Sequence, residues 1–213
     1  NAGGCVADST FSATFNIKPE FSYTLLSSVA TLCENVPGTV SVASARVTNG
    51  VTGTGIYSGP GTDDAGNFSP SVAGPGSHEI FYVFTTEGGC VEAVSQKITV
   101  KAKPVITALT FDKGCLPTNG LVQFSHTSSI SDGQNLSYVW NFGDANASTS
   151  NPNTSNQHDP THYYTKEGAY PVSLKVTAAT GCVADSNFSA TFSIKPDLRY
   201  PVLSSVCESV AGT

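Results

Sequence analysis

Charged residues are scarce in this sequence of 213 residues, where Asp, Glu, Lys and Arg together make up only 12%. The few charges sum to −6 at neutral pH, and a negative chain with few cations repels phosphate. The composition therefore argues against nucleic-acid binding. No run of 18 apolar residues occurs, so we expect no membrane insertion of this segment. Apolar residues nevertheless recur at regular spacing, which argues against a disordered chain.

Signatures of catalysis are also missing. The sequence has neither the Gly-x-Ser-x-Gly turn of serine hydrolases nor the His-Glu-x-x-His pattern of zinc proteases. Its four histidines could join serines and aspartates in a triad only in principle; they are His78, His126, His158 and His162. We therefore predict that the chain is not an enzyme and carries no organic cofactor.

No two of the six cysteines form a Cys-x-x-Cys pair, which argues against a zinc site. The cysteines are Cys5, Cys33, Cys90, Cys115, Cys182 and Cys207. Wide spacing in a strand-rich chain is typical of structural disulfides, and these form outside the reducing cytosol. The sequence thus predicts an extracellular protein, although six cysteines allow 15 pairings.

A long internal repeat organises the chain. Residues 4–29 match residues 181–206 at an offset of 177, and 19 of the 26 aligned positions are identical. We interpret this as slightly more than one period of a tandem array, with both ends of the sequence inside the array. A period of this length suits two sandwich domains of about 90 residues each.

The repeat suggests a pairing of the cysteines. Cys182 repeats Cys5, and Cys207 occupies the place of Cys33, so each period carries four cysteines in two domains. The simplest pairing joins Cys33 to Cys90 and Cys115 to Cys182, each within one domain. Cys5 and Cys207 would then pair with cysteines outside this sequence.

Alternation of apolar and polar residues predicts β-strands throughout. Examples are the stretches 11–17, 80–84, 136–142 and 170–176, and turn residues such as Gly, Pro, Asn and Asp lie between them. No stretch has a convincing helical period. The predicted fold is all-β, built of tandem antiparallel β-sandwiches.

Two stretches carry a family resemblance. They read Tyr138-Val139-Trp140-Asn141-Phe142-Gly143-Asp144 and His162-x-Tyr164 followed by Gly168, Tyr170, Val172, Leu174 and Val176. This pattern resembles the polycystic kidney disease (PKD) domain. The resemblance implies a structural core containing Trp140, Phe142, Tyr138 and Tyr170, a tight turn at Gly143-Asp144, and a structural role for His162.

The preceding stretch resembles the short immunoglobulin-like modules of large surface proteins of Bacteroidota. The matching residues are Leu32-Cys33-Glu34, Gly53-Thr54-Gly55, Tyr82-Val83-Phe84 and Gly89-Cys90. We therefore predict four segments: the C-terminal strand of a truncated PKD-like domain (1–18), an immunoglobulin-like domain (19–103), a PKD-like domain (104–196) and the start of the next immunoglobulin-like domain (197–213).

Two kinds of ligand site remain open from sequence. Asp63, Asp64 and Asp144 lie in turns whose oxygens could bind calcium, although aspartates in turns usually serve their own backbone. Exposed tyrosines could stack on sugars, and the candidates are Tyr23, Tyr57, Tyr163 and Tyr200.

The resemblances imply a function. Giant repeat adhesins of Bacteroidota, including those moved in gliding motility, have this organisation. We expect a structural and adhesive segment of a secreted protein on the surface of a Gram-negative bacterium, a disulfide-stiffened stalk or filament. Its partners would be adjacent repeats of the same chain, surface polysaccharide, or lateral filament partners. The alternative is a carbohydrate- or protein-binding accessory module of a secreted enzyme.

Overall fold

The computed structural model of this chain describes residues 12, 15–25 and 27–194. It is 52% strand and 4% helix, which confirms the predicted all-β class. Cys5, Cys207, Tyr200 and the module start expected at 197–213 lie outside the described residues. In the described part of the chain, no helix is long and apolar enough to cross a membrane.

Short strands and two single helical turns precede the long strands of the first half. In chain order these elements are β1 (Phe21–Ser22), α1 (Ser27–Ala30), β2 (Thr31–Cys33), β3 (Val40–Ser41), β4 (Arg46–Val47), β5 (Gly53–Ser58), β6 (Asn67–Phe68), α2 (Pro70–Ala73), β7 (Gly76–Thr86) and β8 (Val91–Lys101). The second half continues with β9 (Val105–Phe111), β10 (Gly114–Leu116), β11 (Leu121–Ser129), β12 (Leu136–Asn141), β13 (Thr154–Ser155), β14 (Thr161–Tyr163), β15 (Gly168–Ala178) and β16 (Val183–Ile194).

A four-stranded sheet in the order β2-β8-β7-β5 dominates the first half, beside the two-stranded pairs β1-β4 and β3-β6. β7 and β8 are antiparallel over ten residue pairs, whereas the short β2 runs parallel to the end of β8, with Cys33 opposite Lys101. Buried side chains from both layers form one core: Tyr23, Val42, Tyr57, Phe68, Ile80, Ile98 and Val100.

The second half contains a five-stranded sheet, β10-β16-β15-β12-β13, and a three-stranded sheet, β14-β11-β9. β10 runs parallel to the end of β16, with Cys115 opposite Ser193. Every second residue of β15 is buried, from Tyr170 to Ala178, because successive side chains of a strand point to opposite faces. The core is Val122, Phe124, Trp140, Phe142, Tyr164, Tyr170, Val172, Leu174, Val176, Ala190 and Phe192.

The described residues divide into two compact units. The first includes the chain up to Val105 together with Ile130–Asn135 and Thr177–Val183; the second includes Ile106–Ser129, Leu136–Val176 and the chain from Ala184 onward. The turn at 179–182 therefore belongs to the first unit although β15 and β16 continue into the second. The domain boundaries given above stay a prediction.

The disulfide pairing predicted from sequence is wrong. The structure joins Cys33 to Cys182, with the two Cα atoms 5.7 Å apart, and leaves Cys90 and Cys115 as free thiols. The predicted bonds Cys33–Cys90 and Cys115–Cys182 are therefore both absent from the described residues.

Strand length explains why the predicted pairs cannot form. Cys33 lies opposite Lys101 at the end of β8, whereas Cys90 lies just before β8 begins. Eleven residues of extended strand separate these two ends by about 35 Å, but a disulfide needs Cα atoms within about 7 Å. The same reasoning applies to Cys115, opposite Ser193 near the end of β16, and Cys182 before its start.

Candidate functional site

The aromatic residues of the PKD-like motif lie in the core of the second unit. Trp140 and Phe142 are fully buried, Tyr170 is 7% exposed, and Tyr138 packs partly buried against the same core. The Tyr170 hydroxyl donates to the Lys166 carbonyl at 2.8 Å, so its polar end is satisfied. These four side chains hold the sandwich together and are not available to a ligand.

Asp144 anchors the turn that follows β12. Its carboxylate accepts from the Asn146 backbone N–H at 2.8 Å and lies 3.1 Å from Nε2 of His162, and both side chains are 1% exposed. The Asp144 backbone N–H donates to Asn153 Oδ1 at 2.8 Å. The Asp144 carboxylate therefore makes hydrogen bonds within its own domain.

Burial also determines the protonation of His162. Desolvation lowers the pKa of His162 below its ordinary value of 6.5, although the bond to Asp144 opposes that shift. The ring packs flat on Phe142 at 4.4 Å between centroids. A neutral, sealed imidazole of this kind stabilises the fold and cannot reach a substrate.

A second histidine cluster contains His126 of β11, four residues after Val122, which pairs with His162. His126 is 6% exposed and stacks on His158 at 4.2 Å between ring centroids, and Tyr138 packs on it at 4.6 Å. Neither ring nitrogen of His126 has a hydrogen-bond partner among the described residues. Desolvation, followed by repulsion from His158, lowers the pKa of His126. Because no serine or cysteine of the described chain bonds to the ring of His126, these residues do not form a triad there.

The calcium candidates are dispersed. Asp63 accepts from Asn67 Nδ2 and from the Asn67 backbone N–H, both at 2.8 Å, and the pKa of Asp63 is lowered chiefly by that side-chain bond. Asp64 lies exposed beside it, while Asp144 is buried in the second unit. Among the described residues, no three His, Cys, Asp or Glu side chains are grouped to hold a metal ion.

Of the tyrosines proposed for sugar stacking, Tyr23 and Tyr57 are buried in the first core, at 5% and 7% exposure. Tyr163 is 49% exposed on β14. Among the described candidates, Tyr163 is therefore the one that can contact a ligand.

The second unit has an open groove of about 460 Å³ between β9 and β16. Two half-buried aromatic rings form its floor, because Phe111 stacks on Phe188 with centroids 5.4 Å apart. Lys113 Nζ lies 5.8 Å from the centre of the Phe111 ring. The remaining lining residues are Leu109, Ser186, Ser189 and Thr191. We call this surface the Phe111–Phe188 groove.

The groove combines the groups that extended polymers need for binding. Aromatic rings supply apolar contact, hydroxyl groups donate and accept hydrogen bonds, and the ammonium group attracts carbonyl or carboxylate oxygens. Sequence reasoning missed the groove, since Phe111 and Phe188 are 77 residues apart. Only the packing of β9 beside β16 brings the two rings together.

Comparison with known proteins identifies part of the chain. Residues 101–194 match the family model described as PKD domain. The chain is 45% identical over 67 residues to the pre-pro-metalloprotease PrtV of Vibrio cholerae, and 38% identical over 69 residues to a microbial collagenase of Vibrio alginolyticus. These matches cover 31% and 32% of this chain, but only 6% and 8% of the two proteins.

A solved structure is similar to part of this chain. The crystal structure of the PKD1 domain from the Vibrio cholerae metalloprotease PrtV is 32% identical, covers 42% of this chain and 96% of that domain, and has a TM-score of 0.34. The family match includes the Trp140 motif, the buried Asp144–His162 pair and the Phe111–Phe188 groove. Residues 101–194 of this chain therefore form a PKD domain.

Proposed function

We propose that this chain is a non-catalytic accessory segment of a secreted protein, in which the PKD domain binds a protein polymer along the Phe111–Phe188 groove. The family match carries this proposal, because the matching proteins are named as a metalloprotease and a collagenase. A domain that holds a protein substrate near a protease raises the local substrate concentration.

An extracellular location supports the same proposal. The disulfide between Cys33 and Cys182 needs an oxidising compartment to persist.

Binding to collagen tests the proposal. The full chain is passed over immobilised gelatin and fibrillar collagen, and insoluble polysaccharides serve as the competing ligand class. Thr191 lines the groove on β16, and in Thr191→Arg a large cationic side chain fills the groove. We expect this variant to weaken binding at least about tenfold, equivalent to about 1.4 kcal/mol.

Thr110 offers a matched control. It is exposed on β9 and is not among the residues that line the groove, so Thr110→Arg adds the same side chain elsewhere on the domain. Equal loss in both variants, or no binding of the wild-type chain to any of these polymers, would refute the proposal. Binding to polysaccharide alone would assign the groove to sugars instead.

The internal repeat favours a second candidate, a structural or adhesive stalk of a surface protein. An accessory module needs one or a few copies, whereas 19 identical residues in 26 aligned positions at an offset of 177 point to a tandem array. In that case the partners would be neighbouring repeats, surface polysaccharide or laterally associated chains, as in a gliding adhesin filament.

A further inference from the structure

The two short parallel strands place a cysteine at the same register. In β2, Cys33 lies opposite Lys101, which is three residues before Pro104. In β10, Cys115 lies opposite Ser193, which is three residues before Pro196 in the sequence. Each cysteine is therefore held beside the last residues of a long strand, just before the proline that begins the next stretch of chain.

A second pair of equivalent cysteines lies in turns. Cys90 follows Gly89 in the turn before β8, and Cys182 follows Gly181 in the turn before β16. The backbone N–H of the first turn glycine donates to the Thr86 carbonyl, and that of the second donates to the Ala178 carbonyl. Each half of the period thus has one strand cysteine and one turn cysteine.

The observed disulfide joins the strand cysteine of the first half to the turn cysteine of the second half, on the other side of Pro104 in the sequence. Cys33 precedes Pro104 and Cys182 follows it, and both belong to the first compact unit. Neighbouring contacts fix this arrangement, since Asn35 Nδ2 donates to the Val183 carbonyl at 3.0 Å. Cys182 Sγ also lies 4.0 Å from the Lys101 carbonyl oxygen, so the residue three before the proline touches the turn.

A related contact, between different groups, occurs near Pro19. Asn16 is three residues before Pro19, and its Nδ2 donates to the Gly88 carbonyl at 3.0 Å. Gly88 lies in the turn that carries Cys90. A strand cysteine in register with Asn16, as Cys33 is with Lys101, would lie next to Cys90.

Equivalent positions of the repeat, and positions at the same distance before the prolines, differ in exposure. Phe15 is 89% exposed, while its repeat Phe192 is 2% exposed within a complete sandwich. Ala102, two residues before Pro104, is 1% exposed, whereas Ile194, two residues before Pro196, is 61% exposed. The buried position, Ala102, lies beside Pro104, which comes between the two bonded cysteines in the sequence. The exposed position, Ile194, pairs with β10, the strand that holds the free Cys115.

We propose that Cys115 forms a disulfide with the turn cysteine of the module that follows it in the array, a cysteine equivalent to Cys90. Cys90 correspondingly bonds a Cys115-type cysteine of the module that precedes it. Every strand cysteine then joins the turn cysteine of the following module, as Cys33 joins Cys182. This inference rests on the repeat, the basis of the stalk candidate, and not on ligand binding by the groove.

The reaction is an ordinary thiol oxidation by exchange. The two thiols lose two protons and two electrons, the new S–S bond forms, and an oxidised disulfide such as glutathione disulfide is reduced to two thiols. The disulfide form of an extracellular thiol–disulfide oxidoreductase can accept the same two electrons and two protons.

A tandem protein tests the inference. The full chain up to Pro196 is followed directly by residues 20–213, which recreates the Lys-Pro-Glu junction found at Lys18-Pro19-Glu20. Cys5→Ser and Cys90→Ser in the first copy, with Cys115→Ser and Cys207→Ser in the second, leave one strand and one turn cysteine for the new bond. After oxidation with glutathione disulfide, non-reducing peptide mapping of the monomer should show Cys115 of the first copy linked to Cys90 of the second.

The Cys33–Cys182 peptide in each copy reports that the modules have folded, and the tandem protein with all cysteines retained gives a second readout. Both thiols alkylated in a folded monomer, or either cysteine linked to a different partner, would overturn the inference. Adding Cys115→Ser to the first copy should return Cys90 of the second copy to the alkylated form. Failure of the wild-type chain to bind would refute the accessory proposal alone, because this mapping involves no ligand.

Discussion

At the scale of single residues, two buried histidines differ in what surrounds them. His162 bonds to Asp144, whereas both ring nitrogens of His126 lack a partner among the described residues. Burial lowers the pKa of both rings below 6.5. The unfolded chain therefore takes up protons near pH 6.5 that the folded chain refuses, and the free energy of unfolding falls as pH falls below that value.

Phenylalanine at the two positions should change the free energy of unfolding by very different amounts. His162→Phe leaves Oδ2 of the Asp144 carboxylate buried without its His162 partner, and we expect a loss of about 3 kcal/mol. His126→Phe keeps the ring packing and removes two unsatisfied nitrogens, so we expect stability within about 1 kcal/mol of wild type and a weaker dependence on pH between 7 and 5. Urea unfolding followed by fluorescence of Trp140, the only tryptophan, reports on the PKD domain.

The two variants control for each other, since both replace a buried imidazole by a phenyl ring. An unchanged pH slope in His126→Phe would show that this ring is not responsible for the acid sensitivity. The sequence indicated a structural role for His162 through the family motif, but nothing in it marks His126 as buried. That burial depends on Tyr138 and His158 packing from other parts of the chain.

At the scale of elements, the turn after β12 depends on a glycine. Gly143 has a φ of +65°, and a Cβ there would lie 2.5 Å from the Pro171 carbonyl oxygen. Its N–H donates to Asn141 Oδ1 at 2.9 Å, and Phe142 N–H donates to the Asn153 carbonyl. The turn therefore needs both the left-handed backbone and the missing side chain.

Gly133 separates these two requirements. Its φ of +69° is nearly the same, but nothing lies within 4 Å of a Cβ built there. We expect Gly133→Ala to cost about 1–2 kcal/mol from backbone strain alone, and Gly143→Ala to cost a further 1–3 kcal/mol from the clash. Thermal unfolding of the two variants measures the difference; equal melting temperatures would show that Pro171 gives way.

Long and short strands differ in how well the sequence predicts them. The strands β7, β8, β15 and β16 have 11 or 12 residues each, and their alternation is visible in the sequence. The three-residue strands β2 and β10 have too few residues for any period, and their parallel pairing is set by tertiary packing. Because these two strands hold Cys33 and Cys115, the disulfide pairing could not be predicted from the sequence.

At the scale of the whole molecule, the repeat predicts more than the motifs do. The Trp140 motif indicates a PKD domain, but it does not say whether that domain occurs singly or in an array. The offset of 177 residues predicts a tandem array in the parent protein. It is visible because this sequence of 213 residues is longer than one period. The Phe111–Phe188 groove, in contrast, required the structure.

Electron microscopy of the parent protein tests the stalk candidate. If the repeats form an array, negative-stain images should show thin fibres whose length grows in proportion to the number of repeats in engineered variants. Compact particles of unchanged diameter would contradict the stalk and leave the accessory role. The variant with one period deleted provides the control, because every remaining junction is preserved.

The parallel strand at the edge of each main sheet has a mechanical consequence. Along the chain, β2 is the first strand of its sheet, and it pairs with the C-terminal end of β8, which is the last. Tension applied to the two ends of the chain would draw Thr31–Cys33 and Thr99–Lys101 in opposite directions along their common axis. Hydrogen bonds loaded in shear break together, whereas those of a hairpin opened from its end break one at a time. The same geometry recurs at β10 and β16, so each sheet has a clamp at the point where force would enter it.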